Sequence, residues 1–472
     1  MIIGVALALY VLLVIGIGIA SNRKSDASPE DYFLAGRGLG SVVLFMALFG
    51  TNCTAFVLVG IPGRAYHDGV AVFGVNAPII ALGIPLCFWL IGSPARRMGI
   101  RLGALTPAEL YRKRFDSRAL GLLLFAVYAL YTIPYMVTAV KGAAVTLTGV
   151  TDGAVPQWVG GLAVMSVALL YTTVGGMRAT AWTNVFQGTL FLVFMVVGFV
   201  LIARSLGGFE AATVAVQNHD PSLLQIKDGP LYTPGGWTSW SFAITLTVIG
   251  FPHMLVRLMA GKSEDALRTV SRFYPIALLL LWVPAVMLGV WGAAAFPGLE
   301  GRASDRIFSL MSANHLPAAF GSLGFVAVLA AVMSTLDAQI LVLSSMLVRD
   351  VLKAPKDAVR AGRWFGLAVS VVVFVLSVTW GSSVFEIASF AFSGYVTLAP
   401  VLFLGVRWKA CTREGAIASI VVGNVVLLLG VAKVLPTFGF LPVFWALVAG
   451  TITAIVVSRF TRGTGDVALA FS

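Results

Sequence analysis

The sharpest chemical pattern in the chain is a run of small and oxygen-bearing residues at 330–345, inside a long apolar stretch. Ala331, Ser334, Thr335 and Ala338 are spaced at i, i+3, i+4 and i+7, which places them on one face of a helix. Two adjacent hydroxyls beside a carbonyl left accessible by small residues suit a hard cation that takes oxygen ligands. The alternative is that both hydroxyls donate to carbonyls of their own helix, which is common in transmembrane helices.

An acidic residue, Asp337, lies in the same run. A carboxylate cannot be satisfied by bonding back to its own helix, and a charge in an apolar environment is costly. We therefore interpret Asp337 as a functional group that handles a cation or a proton.

Two other apolar stretches are interrupted by small, polar and proline residues. Residues 49–63 read FGTNCTAFVLVGIPG, and residues 245–253 read TLTVIGFPH. A broken helix frees carbonyls and helix ends in the middle of a membrane, where they can hold an ion or a substrate. A matched pair of broken helices in two halves of a chain is typical of secondary transporters built from inverted repeats. Two glycine-kinked packing helices are the alternative.

The elements that must position these residues are transmembrane helices. Of the 472 residues, 59% are hydrophobic and 11% charged, whereas a soluble domain carries roughly 25% charged residues. A membrane span needs about 20 apolar residues. The chain is predicted to be an all-α, polytopic membrane protein with about thirteen spans, numbered here in chain order: 2–20, 41–65, 71–94, 118–149, 157–175, 179–205, 238–260, 273–296, 317–349, 361–380, 384–406, 415–434 and 438–458.

Several classes of function are not indicated. The net charge is +12, but the basic residues lie in short loops rather than in a cluster, so no nucleic-acid partner is expected. The three cysteines form no CxxC pair, and no metal cluster, nucleophile triad or phosphate loop is present in the sequence, so an enzyme is not expected. The lone histidines His67 and His253 are expected to be structural.

The loops predict the orientation of the chain in the membrane. With the N-terminus outside, 25 of the 32 Lys and Arg residues fall on the cytoplasmic side, six fall outside and Lys141 lies within a span. Since cytoplasmic loops carry an excess of Lys and Arg, we expect an outer N-terminus, a cytoplasmic C-terminus and an odd number of spans in a cell inner (plasma) membrane.

Five motifs carry a resemblance to a known family. Residues 31–37 read DYFLAGR, 106–109 read TPAE with Arg114 and Phe115 following, 171–187 read YTTVGGMRATAWTNVFQ, 250–257 read GFPHMLVR, and 331–345 read AVMSTLDAQILVLSS. In this order they resemble the sodium:solute symporter family over nearly the whole chain, most closely its sodium/proline and sodium/pantothenate branch. The resemblance implies alternating access by a ten-helix core of two inverted five-helix repeats, with a broken first helix in each.

The resemblance also implies a division of the chain and a sodium site. Residues 1–40 would be a peripheral helix with a cytoplasmic loop, 41–206 the first repeat, 207–237 an extracellular loop, 238–410 the second repeat, and 411–472 two peripheral helices with a short cytoplasmic tail. The coupling ion would be Na⁺. Its ligands would be the carbonyls of Gly50, Cys53 and Ala331 with the hydroxyls of Ser334 and Thr335.

The chain departs from the family pattern at several positions. The signature usually ends in Trp-Thr-Asp, but Asn184 stands in the last place, and many members carry a hydroxyl where this chain has Asp337. Asn184 and Asp337 are therefore predicted to form a second cation or proton site in which the negative charge has moved. The proline branch has an acidic residue at the position of Asn52 and bulky aromatics at those of Ile244 and Val248, which argues against proline as the solute.

The solute is predicted from the residues that would surround it. The fourth span of the family lines part of the solute cavity, so Lys141 could meet a carboxylate, and we expect a small organic anion such as a monocarboxylate. The alternative is that this lysine extends to the outer interface. A mixed apolar and neutral polar lining suits a short acid better than a sugar; the predicted lining residues are Asn52, Thr54, Phe56, Val57, Tyr135, Lys141 and Thr247.

Three hypotheses for the function follow. The first is a sodium-coupled symporter of a small organic solute, with the sodium ion, the solute and the lipid bilayer as partners and an oligomeric state that the sequence does not indicate. The second is a proton-coupled symporter of the same fold, suggested by Asp337. The third is a sensor with a transporter-like domain, which the short stretch after the last span disfavours.

Overall fold

The computed structural model describes residues 2–22, 28–151, 153–172, 176–352, 358–462 and 470–471. Within these ranges the chain is helical throughout, apart from connecting loops and one isolated bridge between Leu39 and Gly261. The predicted all-α, polytopic membrane fold is confirmed. Residues 173–175 of the signature motif lie outside the described residues.

Each of the thirteen predicted spans corresponds to a helix or to a pair of helices. Ten are long and apolar enough to cross a membrane, and two bent pairs pass the same test, counted over the described residues. The fifth, Gln157–Thr172, is shorter, with 16 described residues. The spans are Ile2–Asn22, Ser41–Asn52 with Phe56–Asp68, Ala71–Arg101, Arg118–Val150, Gln157–Thr172, Met177–Ser205, Pro234–Gly250 with Pro252–Met259, Glu264–Ala295, Ala318–Leu352, Ala358–Thr379, Val384–Arg407, Arg413–Val431 and Pro442–Phe460.

Short helices cover both ends of the bundle. On the side whose loops carry most Lys and Arg, called the basic side below, lie Pro29–Leu34, Ala35–Arg37 and Pro107–Arg114. On the opposite side, called the outer side, lie Phe209–His219, Pro221–Leu224, Gly301–Arg306 and Ile307–His315.

Spans 2 and 7 are broken as predicted, and close packing at each break explains their glycines. The two halves of span 2 meet at 53° and those of span 7 at 58°. A Cβ on Gly50 would lie 3.2 Å from the carbonyl oxygen of Asn184, and one on Gly250 would lie 2.8 Å from that of Tyr395. Pro252 opens the second half of span 7 at a position where a helix needs no N–H. The breaks are therefore fixed by helix packing as well as by local sequence.

Burial separates a central group of spans from lipid-facing ones. The most apolar 18-residue window of span 9 is entirely buried, whereas 17% of the corresponding window of span 1 and 28% of that of span 13 are buried. Span 9 packs against spans 4 and 6, and span 6 packs against the first half of span 2. The hydroxyl-rich face of span 9 is thereby held against the break in span 2. The division into two inverted repeats stays a prediction.

Candidate functional site

A cluster of five oxygens joins the break in span 2 to the middle of span 9. The Ser334 hydroxyl lies 2.7 Å from the carbonyl oxygen of Gly50 and 2.9 Å from that of Ala331. The Thr335 hydroxyl lies 3.0 Å from the carbonyl oxygen of Thr51 and 3.1 Å from that of Ala331. All five residues are buried. Each hydroxyl has one proton and two acceptors within reach, so bonding back to its own helix competes with bonding across to span 2.

The donor set of this cluster fits an alkali cation. Carbonyl and hydroxyl oxygens are hard, neutral ligands, and binding to them needs no deprotonation. Among the described residues, no group of three or more His, Cys, Asp or Glu side chains is placed to hold a metal ion. Cys53 caps the first half of span 2, and its N–H donates to the carbonyl of Phe49 at 3.0 Å. Its predicted role as a carbonyl ligand stays a prediction.

Thr51 belongs to this cluster and was missed by the sequence analysis. Its carbonyl accepts from Thr335, and its own hydroxyl lies 3.3 Å from the carbonyl oxygen of Ser334. Nothing in the local sequence distinguishes Thr51 from the other small residues at the break. Its role follows from the neighbouring helix.

The structure brings Asn184 beside the oxygen cluster. Its side chain is fully buried and lies 2.8 Å from the Thr51 hydroxyl. In the amide orientation that satisfies both of its ends, the oxygen accepts from Arg257 Nη2 at 2.7 Å and the nitrogen donates to Thr180 and Gln187 at 3.1 Å. Asn184 therefore links the oxygen cluster to a buried guanidinium.

Asp337 lies in the same buried polar region, and the chain of contacts that leads toward it passes through span 1. Gln187 donates to the Tyr10 hydroxyl at 2.7 Å, and the Tyr10 phenol interacts electrostatically with Asp337. One oxygen of the Asp337 carboxylate accepts from the N–H of Ala338 at 2.5 Å, and the side chain is fully buried. The predicted second cation or proton site of Asn184 and Asp337 stays a prediction.

A small cavity adjoins the break in span 2. Five of the seven predicted solute residues line it, and Ile244 and Val248 lie in its wall. Its described lining residues include no charged side chain. They are Asn52, Cys53, Phe56, Val57, Ile80, Ile84, Tyr135, Ile244, Thr247, Val248, Phe251, Trp282 and Phe392.

Thr54 and Lys141 are not among the lining residues of this cavity. Thr54 accepts from the N–H of Phe56 at 3.1 Å and hydrogen-bonds Tyr135, so it positions the start of the second half of span 2 and one wall of the cavity. Lys141 donates to the carbonyls of Trp380, at 2.8 Å, and Ser382 in the outer loop between spans 10 and 11. This placement corresponds to the alternative interpretation, a lysine near the outer end of its helix, and does not favour Lys141 as a ligand of the solute.

Comparison with known proteins decides the family. The sequence model described as "Sodium:solute symporter family" matches residues 32–423 of the chain.

The chain belongs to the sodium:solute symporter family.

Relatives within this family place the chain near one branch. It is 28% identical to the sodium/proline symporter of Escherichia coli (strain K12), over 92% of this chain and 90% of that protein. It is 24% identical to the sodium/proline symporter of Staphylococcus aureus (strain NCTC 8325 / PS 47), over 98% and 93%. The predicted resemblance is confirmed, and these relatives are transporters, not enzymes.

Solved structures share the fold. A Na⁺-coupled sialic acid symporter, solved with substrate bound in an outward-open state, aligns with a TM-score of 0.81 at 17% identity, over 98% of both chains. A nucleobase-cation-symport-1 family transporter aligns with a TM-score of 0.60 at 16% identity, over 90% of this chain and 92% of that one.

One basic residue of this symporter was misplaced by the sequence analysis. Arg257 was counted among the basic residues of the cytoplasmic side, although the predicted span 238–260 contains it. The structure places it inside the helix Pro252–Met259 with 1% of its surface exposed. Its spacing of four residues from His253, which puts both on one helix face, is the sequence signal that could have indicated a buried role.

Proposed function

We propose that this symporter couples the downhill movement of Na⁺ to the uptake of a small organic acid. Gly50, Cys53, Ala331, Ser334 and Thr335 would hold the ion. The observation that carries the proposal is the oxygen cluster in which Ser334 and Thr335 meet the carbonyls of Gly50 and Thr51. An ion bound there would replace hydroxyl-to-carbonyl hydrogen bonds with ion contacts and pull span 9 and the break in span 2 together.

The same break supplies the coupling between ion and solute. Gly50 and Thr51 contribute to the oxygen cluster, while Asn52, Phe56 and Val57 line the cavity a few residues later. Ordering this segment for one ligand lowers the cost of ordering it for the other. By linkage, the solute must then strengthen Na⁺ binding by the same factor.

The cavity favours a small acid with an apolar body. Its wall is mainly apolar, with Asn52, Tyr135 and Thr247 as polar groups, which is too few for a sugar. The second half of span 2 begins at Phe56, in the wall of the cavity. A helix N-terminus carries a partial positive charge and suits a carboxylate. This supports a monocarboxylate although the described lining contains no cationic side chain.

The related sodium/proline symporters also raise proline, which is itself a carboxylate, as a candidate solute. Ile244 and Val248 occupy cavity positions where the proline branch has bulky aromatics. Because these aliphatic residues shape the wall differently, we propose another carboxylate.

Proton coupling on the same scaffold is the second candidate. It is favoured by the fully buried carboxylate of Asp337, which interacts with Tyr10 close to the proposed ion site. In either case we propose that the basic side faces the cytoplasm, with an outer N-terminus and a cytoplasmic C-terminus.

A binding screen on the purified protein tests the proposal. Propionate, pyruvate, L-lactate, L-proline and glucose would each be added in sodium chloride and in choline chloride, and thermal stability measured. We expect at least one of propionate, pyruvate and lactate to stabilise the protein in sodium and not in choline. Sodium-dependent stabilisation by glucose, with none from any carboxylate, would contradict the proposal.

A further inference from the structure

A second cavity lies between the ion and solute sites and the basic side. Thr180, one turn before Asn184 in span 6, and Ala338, one turn after Ser334 in span 9, line its inner end. Phe33, in the short helix Pro29–Leu34 on the basic side, and Leu105, just before the helix Pro107–Arg114, also line it. A solute that leaves the first cavity toward the basic side would therefore pass through this second cavity.

His253 separates the two cavities. Its ring stacks on that of Phe251, with centroids 5.0 Å apart, and more loosely on that of Tyr135, at 6.4 Å, and both of these residues line the solute cavity. The His253 ring itself lines the second cavity. Only 1% of the side chain is exposed, and neither ring nitrogen has a hydrogen-bond partner among the described residues. A buried imidazole without a partner carries a desolvation cost, which a bound ligand would offset.

A positive charge lies on the same face of the same helix. Arg257 follows His253 by one turn, lines the second cavity, and is 1% exposed. Its Nη1 lies 3.5 Å from the carbonyl oxygen of His253, and its Nη2 lies 2.7 Å from the side-chain oxygen of Asn184. The cavity thus combines an imidazole that can donate a hydrogen bond with a buried guanidinium.

We propose that this second cavity is an anion subsite, which takes the carboxylate of the solute during its release to the basic side. The proposal rests on the proposed function, since it assumes a carboxylate solute. The His253 ring donates to one carboxylate oxygen, and Arg257 supplies a charge that favours the anion in a dry environment. Phe33 and Leu105 cover the subsite until the basic side opens.

The test compares the two faces of the membrane. His253→Phe removes both ring nitrogens and keeps a ring that stacks on Phe251, whereas His253→Gln keeps a donor. The probe is whichever of propionate, pyruvate and L-lactate the wild type carries fastest. Its half-saturating concentration is measured in intact cells, for the outer face, and in inverted membrane vesicles, for the basic face.

We expect His253→Phe to raise the half-saturating concentration at the basic face roughly tenfold, because a hydrogen bond to a charged group is lost. At the outer face the half-saturating concentration should rise less than about twofold. His253→Gln should retain most of the wild-type value. A matched control is His219→Phe, an exposed histidine in the outer helix Phe209–His219, which should change neither value.

Two results would overturn the subsite. One is a His253→Phe variant whose half-saturating probe concentrations equal those of the wild type at both faces. The other is a variant in which both concentrations change by the same factor. If the wild-type protein carries none of the carboxylates, the proposed function fails and the subsite fails with it. The two results above leave the proposed function intact, so a failure of the subsite alone can be recognised. If His253→Phe does not fold, Val342→Phe, which fills the second cavity, decides: an unchanged value at the basic face rejects the subsite.

Discussion

The Ser334 hydroxyl in span 9 donates a 2.7 Å hydrogen bond to the carbonyl oxygen of Gly50 in span 2, which lies 284 positions earlier in the chain. This contact is possible because the first half of span 2 ends at Asn52, so that Gly50 lies in the last turn, where the carbonyls of a helix lack helical N–H partners. The missing side chain of Gly50 makes room for span 6, since a Cβ there would lie 3.2 Å from the carbonyl oxygen of Asn184. The contact between Ser334 and Gly50 places an uncharged oxygen cluster beside the solute cavity. The proposed coupling of ion and solute depends on this arrangement.

Removing one oxygen from the cluster should weaken Na⁺ binding. In Thr335→Ala the cluster loses a hydroxyl that contacts Thr51 and Ala331. We expect a loss of roughly 1–3 kcal/mol in Na⁺ binding, the usual cost of a missing contact to a charged group. The measurement is the sodium concentration for half-maximal uptake. Thr335→Ser keeps the hydroxyl and should show the wild-type sodium concentration for half-maximal uptake.

A matched hydroxyl outside the cluster controls for the Thr335 result. Ser370 in span 10 is buried and donates to the carbonyl of Gly366 in its own helix at 2.7 Å. Ser370→Ala should leave the sodium dependence unchanged. If Thr335→Ala behaves like Ser370→Ala, the assignment of the ion site is wrong.

The negative charge that the family usually carries at position 184 is predicted to have moved to Asp337. Asp337→Ser removes a fully buried carboxylate from the region of the proposed ion site, so transport should be lost. Asn184→Asp would return a carboxylate to a side chain that lies 2.7 Å from Arg257. Transport by the double variant should therefore recover, measured as initial rate of uptake. Asn184→Asp alone, which adds a second negative charge, is the control, and no recovery in the double variant would refute the relocated charge.

Replacing Lys141 distinguishes whether this lysine stabilises the fold or binds the solute. The Lys141 ammonium donates to two outer-loop carbonyls, those of Trp380 and Ser382. Lys141→Met should therefore lower the melting temperature, because both carbonyls lose their donor. The half-saturating solute concentration should stay within about threefold of the wild type, since less than 1 kcal/mol of binding is involved. Lys227→Met, which removes a contact to the carbonyl of His67, is the matched control. A rise of more than tenfold for the Lys141 variant alone would restore its role as a solute ligand.

Asp305, in the outer helix Gly301–Arg306, predicts a pH dependence of stability. Burial raises the pKa of its carboxyl to about 6, although the N–H of Val384 and the charge of Lys141 act in the opposite direction. The folded state therefore holds this proton more tightly than the unfolded state does. Its contribution to stability should fall as pH rises from about 4 to about 6 and stay level above that.

The pH dependence is checked by comparing Asp305→Asn with the wild type at each pH. The variant cannot ionise, so its melting temperature relative to the wild type should rise between pH 4 and 6 and then level off. A difference that does not change with pH would show that the Asp305 carboxyl does not titrate in this range.

The fold was predictable because lipid imposes a simple rule on sequence. Apolar length predicted the spans, and the glycine and proline residues predicted both breaks, since both features are present in the local sequence. Span 5 is the exception: Gln157–Thr172 is short for a membrane, and its predicted end falls at residues 173–175, outside the described part of the chain. The count of basic residues also assigned Arg257 to the cytoplasmic side, although it falls within the predicted span 238–260, because the sequence alone does not separate a buried cation near the end of a span from the first residue of a basic loop.

The candidate site was predictable only where one helix face carried the pattern. Ser334 and Thr335 could be singled out from their spacing, but Thr51 could not, because its part in the cluster depends on span 9 packing against it. Lys141 shows the opposite limit. A lysine in an apolar segment can point to a cavity or to a loop end, and the carbonyls that it meets are about 240 positions away in sequence.

The most direct test of the account is solute accumulation by the purified protein in proteoliposomes. An inward sodium gradient would be imposed at equal pH with the membrane potential clamped, and an inward proton gradient would be imposed separately without sodium. The account predicts that the sodium gradient alone concentrates propionate, pyruvate or lactate above the external level. Accumulation driven by the proton gradient without sodium, with none driven by sodium, would contradict it.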